Sequence, residues 1–111
     1  MKIEIYRENA LCIVRPSGRI DLATLAEFES SLRELIETAP PKLLIDMGKV
    51  TYLAGAGLGV LLATATYLRG QASHMGIFGV SGRVREVFEV SGFGSVLNVH
   101  ADELSARGEV H

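Results

Sequence analysis

From Val50 to Leu68 the chain carries no charged residue, and Lys49 and Arg69 close the stretch at its two ends. A run of this kind must leave water, either by crossing a bilayer or by packing against other protein. Its length just suffices for a membrane span, and Gly55 and Gly59 form a small-xxx-small pair of the sort that packs membrane helices. However, Gly55, Gly57, Gly59, Thr51, Thr64 and Thr66 dilute the apolarity. The flanks, moreover, alternate between strand-like and helix-like patterns. The reading that follows is a loop and then a helix over 55–69 buried against a sheet, with no membrane span.

The remaining constraints agree with one compact domain over residues 1–111. A chain of 111 residues can bury one core without disulfides or metals. The formal charge of −2, from 11 basic and 13 acidic residues, builds no field for nucleic acid. Cys12 is the only cysteine and lies in the apolar run 10–14, so it reads as a small buried hydrophobe in a reducing, cytoplasmic setting. Met1-Lys2-Ile3-Glu4 interleaves charge with apolar residues and lacks the apolar core of a signal peptide.

Residues 2–6 alternate with period two and predict a half-exposed strand near an edge. After a turn at Asn9, residues 10–15 form a second strand. Ser17-Gly18 is expected to break it, leaving Arg19-Ile20 as a short continuation. Asp21 suits a helix N-cap, ahead of Leu25, Phe28, Leu32, Leu35 and Ile36 at helical spacing, and Pro40-Pro41 stops that helix. Residues 42–47 lack alternation, as a central strand covered on both faces does. Strand 74–80, helix 83–90 with Val84, Val87 and Phe88 inward, a turn at 92–94, strand 96–99 and a helical turn or two over 101–106 complete the chain. The fold class is α/β: a mixed sheet of about four or five strands with about four helices packed on it.

Residues for catalysis are sparse. His74, His100 and His111 have no metal-ligand spacing, Cys12 has no cysteine partner, and no nucleophile elbow is present. Asp21 and Asp46 could act together only if the fold brought them together; a cap and a strand-end turn former are their structural roles. The loop Ala54-Gly55-Ala56-Gly57-Leu58-Gly59 stands between a strand and a helix, a context for phosphate. Its third glycine comes one residue too early for the dinucleotide fingerprint, and Gly48-Lys49 is followed by Val50 rather than Ser or Thr. Close helix–sheet packing explains the glycines instead. Neither a metal nor a cofactor is expected, nor enzymatic activity.

Four stretches, in order, resemble the STAS domains, the family of the anti-sigma-factor antagonists. They are Gly18-Arg19-Ile20-Asp21, the segment Asp46 to Leu62, the segment Gly79 to Glu89, and Ser91-Gly92-Phe93 with Val96-Leu97. The resemblance implies a bacterial signalling protein that regulates transcription by binding. In that family a serine or threonine at the start of the second helix is the switch. A kinase phosphorylates it, and only the unmodified form binds the anti-sigma factor. A phosphate adds nearly two negative charges to the surface and opposes docking.

This chain departs at that position. Where the family carries Asp-Ser-Ser, it has Ala54-Gly55-Ala56, so the phosphoacceptor position is Gly55, which has no hydroxyl. The resemblance then implies a partner-binding surface built from Asp21, Leu53, Ala54, Gly55, Ala56 and Gly57. The implied partner is an anti-sigma factor or a related serine-kinase-like protein, bound by a monomer or weak homodimer. A constitutive binder, a scaffold or subunit of a transport or lipid-transport system that binds a small apolar ligand, and an introduced change at position 55 all remain open. Thr51 and Ser81 are nearby hydroxyls outside the acceptor position.

Overall fold

The computed structural model describes residues 1–94 and 96–108. The chain runs β1 (Lys2–Glu8), β2 (Leu11–Ile20), α1 (Leu25–Glu37), β3 (Lys42–Asp46), β4 (Lys49–Leu53), α2 (Gly55–Gly70), β5 (His74–Phe78), α3 (Gly82–Ser91), β6 (Val99–His100) and α4 (Glu103–Gly108). These strands form one six-stranded sheet in the order β1-β2-β3-β5-β6, with β4 added to β2. Only the β1–β2 pair is antiparallel, so the sheet is mixed, in keeping with the α/β expectation.

Strand β2 organises the sheet. Its first half, Leu11 to Val14, pairs with β3, and its second half, Ser17 to Ile20, pairs with β4. The expected break at Ser17-Gly18 is a continuous strand. Gly18 takes φ +101°, and the register against β4 shifts between Gly18 and Arg19. A glycine in that conformation makes a bulge rather than an end. The segment before α2, read as a loop, is strand β4. Its short alternation, with Val50 and Leu53 buried and Lys49 and Thr51 exposed, is hidden inside the uncharged run. The later segments are shorter or shifted. Strand β5 stops at Phe78 because Gly79 turns at φ +79°, and Val96 to Asn98 form a turn ahead of the two-residue β6.

Helices α1, α2 and α3 cover one sheet face. Phe28, Leu32 and Leu35 of α1, Leu58, Leu61 and Leu68 of α2, and Val84 and Phe88 of α3 meet Cys12, Val14, Leu43, Ile45 and Ile77 there. The uncharged run is therefore spent on burial within the domain. Among the described residues, no helix is long and apolar enough to cross a membrane. Cys12 is 2% exposed, and burial pushes its thiol pKa up.

The opposite face holds a smaller cluster, Ile13, Leu44, Phe78 and Ala106, under α4. An ion-pair chain ties this short helix down. Arg15 bonds Asp46 and reaches Glu103 at 3.2 Å; Glu103 accepts from Arg107 at 2.8 Å, and Arg107 lies 3.3 Å from Glu8. Asp46 also accepts from the Gly48 amide at 2.8 Å, which closes the turn into β4. The Arg107 guanidinium, helped by Arg15 and opposed by partial desolvation, holds the Glu103 carboxyl below its usual range. The folded value lies below the unfolded one, so this stabilisation is complete above about pH 4.3 and is lost as pH falls. Glu103 is 34% exposed, and solvent screening keeps the effect modest. Glu103→Gln should therefore lower the denaturation midpoint at neutral pH and leave it nearly unchanged at acid pH; an equal loss at both would show that the ion pairs contribute nothing.

Candidate functional site

The bulged β2 and the added β4 bring two loops to one end of the sheet. Ile20 and Leu53 are register partners at the strand ends, and the Ala54 amide donates to the Ile20 carbonyl at 2.8 Å. The segment after β2 and the start of α2 thus emerge side by side. Asp21 Oδ1 accepts from the amides of Ala23 (3.0 Å) and Thr24 (3.3 Å), while the Asp21 amide donates to Thr24 Oγ1 at 3.0 Å. Helix α1 starts later than expected, at Leu25 with Thr24 in the cap position. Asp21 therefore caps the turn leading into the helix rather than the helix itself.

Arg19 Nε lies 3.3 Å from Asp21 Oδ2, and the guanidinium carbon stands 4.2 Å from the Tyr52 ring centroid. That stacking fixes a planar cation over an aromatic face. Partial desolvation pulls the Asp21 pKa upward, but Arg19 and the two amides outweigh it and hold the carboxyl below its usual range. Beside this polar corner, Leu22 is 83% exposed.

The start of α2 is bare. Ala54 occupies the cap position in an extended conformation, no side chain caps the helix, and its first turn holds no acid. Gly55 and Ala56 are exposed, and a Cβ at Gly55 would meet nothing within 4 Å. Gly57 and Leu53 face inward. A Cβ at Gly57 would stand 2.8 Å from both Ile20 Cγ2 and Leu53 Cδ1, so this glycine lets the helix sit close on the sheet. Of the six residues expected at the surface, Gly55 and Ala56 are exposed, Asp21 and Ala54 are half-buried, and Leu53 and Gly57 are buried.

Sequence reasoning missed a groove of about 740 Å³ between the start of α2 and α3. Tyr52, Leu53 and Leu58 line one side, and Arg83, Glu86 and Val90 are among the residues on the other. Val90 is 89% exposed. Its place outside the inward set Val84, Val87 and Phe88 was the available signal: an apolar residue on the wet side of an amphipathic helix.

The fold does not bring the two candidate carboxylates together. Asp21 and Asp46 take separate arginine partners, Arg19 and Arg15, at different places in the fold. Among the described residues, no three His, Cys, Asp or Glu side chains could share a metal ion. His74 and His100 lie on β5 and β6, and His111 lies outside the described residues.

The STAS domain family model matches residues 2–106. The chain belongs to the STAS family. The STAS chain is 29% identical over 99 residues to BtrV of Bordetella bronchiseptica, designated an anti-sigma factor antagonist, covering 89% of this chain and 85% of that protein. It is 25% identical over 100 residues to the anti-sigma-B factor antagonist of Staphylococcus aureus, covering 90% and 93%. Its fold matches the crystal structure of an anti-sigma factor antagonist from Mycobacterium paratuberculosis with a TM-score of 0.92 at 24% identity, over 98% of this chain and 92% of that one.

Three substitutions probe how this STAS site is built. Gly57→Ala should destabilise the fold by about 1–2 kcal/mol, the overpacking cost less the helix-propensity gain. Gly59→Ala, with nothing within 4 Å of its Cβ position, should stabilise by about 0.5–1 kcal/mol. Ala54→Ser supplies the missing cap and should add about 0.5–1 kcal/mol. Urea denaturation of the three variants checks each sign.

Proposed function

We propose that this protein is a noncatalytic, cytoplasmic binding regulator of the anti-sigma-factor-antagonist kind, whose docking face at the start of α2 is permanently open. One observation carries the reading. Gly55, the position that the STAS resemblance matches to the phosphoacceptor, is exposed, uncrowded and flanked by Ala54 and Ala56, so that no hydroxyl or charge stands at the helix start. The relatives' designation as anti-sigma factor antagonists supplies the partner class, an anti-sigma factor or a related serine-kinase-like protein.

The face has the makings of a protein-binding surface. Two exposed apolar residues stand out, Leu22 after the Arg19–Asp21 pair and Val90 in the groove that Gly55 shares with Arg83 and Glu86. Apolar side chains with charged neighbours suit desolvated contact with polar registration. A phosphate in the middle would add nearly two negative charges to a surface that must be desolvated on docking. With Gly55 there, a kinase partner cannot dismiss the protein by modifying that position.

The test is partner affinity measured calorimetrically with and without ATP. The wild-type chain should bind equally in both conditions. Gly55→Glu, which places a carboxylate where a phosphate would stand, should weaken binding by at least about tenfold, on the order of 1.4 kcal/mol. Gly55→Ser should bind without ATP and be released as it is phosphorylated. Full affinity of Gly55→Glu would place the docking face elsewhere.

The groove beside Gly55 favours a second reading, a scaffold or transport-linked subunit holding a small apolar ligand, since Leu53, Leu58, Val87 and Val90 would line such a site. Native mass spectrometry of the purified chain separates the two: a retained lipid mass supports this reading, and a bare polypeptide mass supports the first.

A further inference from the structure

Among the described residues, three strands have a single partner strand: β6, only two residues long, β4, which lies against α3, and β1, seven residues long. Strand β1 pairs with β2 in unbroken register from Lys2↔Ser17 to Glu8↔Leu11, and it contains no proline or bulge. Five of its seven residues are exposed, including Ile5 at 46% and Tyr6 at 43%. A strand so regular presents a row of main-chain donors and acceptors to any chain that can lie beside it.

We propose that this edge pairs antiparallel with the same strand of a second copy, about a two-fold axis passing through Ile5. The proposal does not rest on the reading of Gly55. The register follows from symmetry and charge. Hydrogen-bonded and non-hydrogen-bonded pairs alternate along an antiparallel ladder. A two-fold axis exchanges the pair i,j with j,i, and the two must be of one kind, so the axis has to fall on a residue that pairs with itself. An axis at Glu4 sets that carboxylate against its own copy, one at Tyr6 sets Glu4 against Glu8, and one at Arg7 opposes two guanidinium groups. An axis at Ile3 engages only the first half of the strand. The axis at Ile5 sets Ile5 on Ile5, Glu4 on Tyr6, Ile3 on Arg7 and Lys2 on Glu8, with no like charges opposed.

The side chains can meet those pairings. Arg107 and the Tyr6 hydroxyl both bond Glu8 through Oε1, at 3.3 and 3.1 Å, which leaves Oε2 for the lysine of the second copy. Pairing over the seven residues forms roughly six to eight main-chain hydrogen bonds. It also covers the apolar surface of both Ile5 side chains. The charged residues of β1 therefore select one register while guarding against the others.

Sedimentation and disulfide trapping test the register. The wild-type chain should show a concentration-dependent monomer–dimer equilibrium, and Lys2→Glu should weaken the dimer by about tenfold, since it creates two like-charge pairs. Adding Glu8→Lys to that variant should restore association. Under mild oxidation Ile5→Cys should form a cross-linked dimer, because opposed Cα atoms about 5 Å apart suit a disulfide. Tyr6→Cys should not, because its own copy lies on the diagonal at about 7–8 Å. Native Cys12 is buried and gives no background. A wild-type chain that stays monomeric at millimolar concentration, or equal cross-linking of Ile5→Cys and Tyr6→Cys, would overturn the proposal.

Discussion

The site depends on how β2 divides its length. Ten residues of one strand serve two parallel neighbours in succession, β3 along the first half and β4 along the second. The bulge at Gly18 falls within the half that pairs with β4 and shifts the register of the strand's last residues there. Ile20 then faces Leu53, its carbonyl receives the Ala54 amide, and Gly57 lets α2 settle against both side chains. Through these contacts the start of α2 and the Asp21 turn become one surface. Packing on buried strand ends such as Ile20 and Leu53 is close to rigid, because a core at native density leaves little slack. The exposed Gly55 and Ala56 are thus held in place by buried neighbours rather than by contacts of their own.

Much of this was legible in the sequence, for physical reasons that differ by element. Helix α1 announced itself through apolar residues at helical spacing, and β3 through an uninterrupted apolar run that only a strand buried on both faces carries. The bare helix start could be read residue by residue, since Ala54, Gly55 and Ala56 carry no hydroxyl or charge. Strand β4 stayed hidden because its alternation lies inside a stretch that is uncharged for another reason, the burial of α2. The Ser17-Gly18 break was misplaced because a glycine at positive φ signals a turn and a bulge equally well. The groove was illegible, since it forms between Tyr52 and Val90, residues far apart in the chain that only the β4–α3 packing brings together.

The two faces of the sheet are stabilised by different physics. The face under α1, α2 and α3 is a dense apolar cluster, whereas α4 is short and owes its place to a small apolar patch and the chain of ion pairs from Asp46 to Glu8. Asp46 belongs to both the ion pairs and the turn into β4, so the α4 network adjoins the strand that carries the site. Salt and acid should act on that side first and leave the main core intact.

The central claim is that an uncharged, hydroxyl-free start to α2 is the surface a protein partner occupies. Backbone amide shifts of the labelled chain, followed while unlabelled anti-sigma partner is added, address it most directly. The account predicts that the largest changes fall on residues 21–23, 54–56 and 83–90, with the β6 edge and α4 undisturbed. Changes confined to the outer faces of α1 and α4, with Gly55 and Ala56 unmoved in a saturated complex, would contradict it.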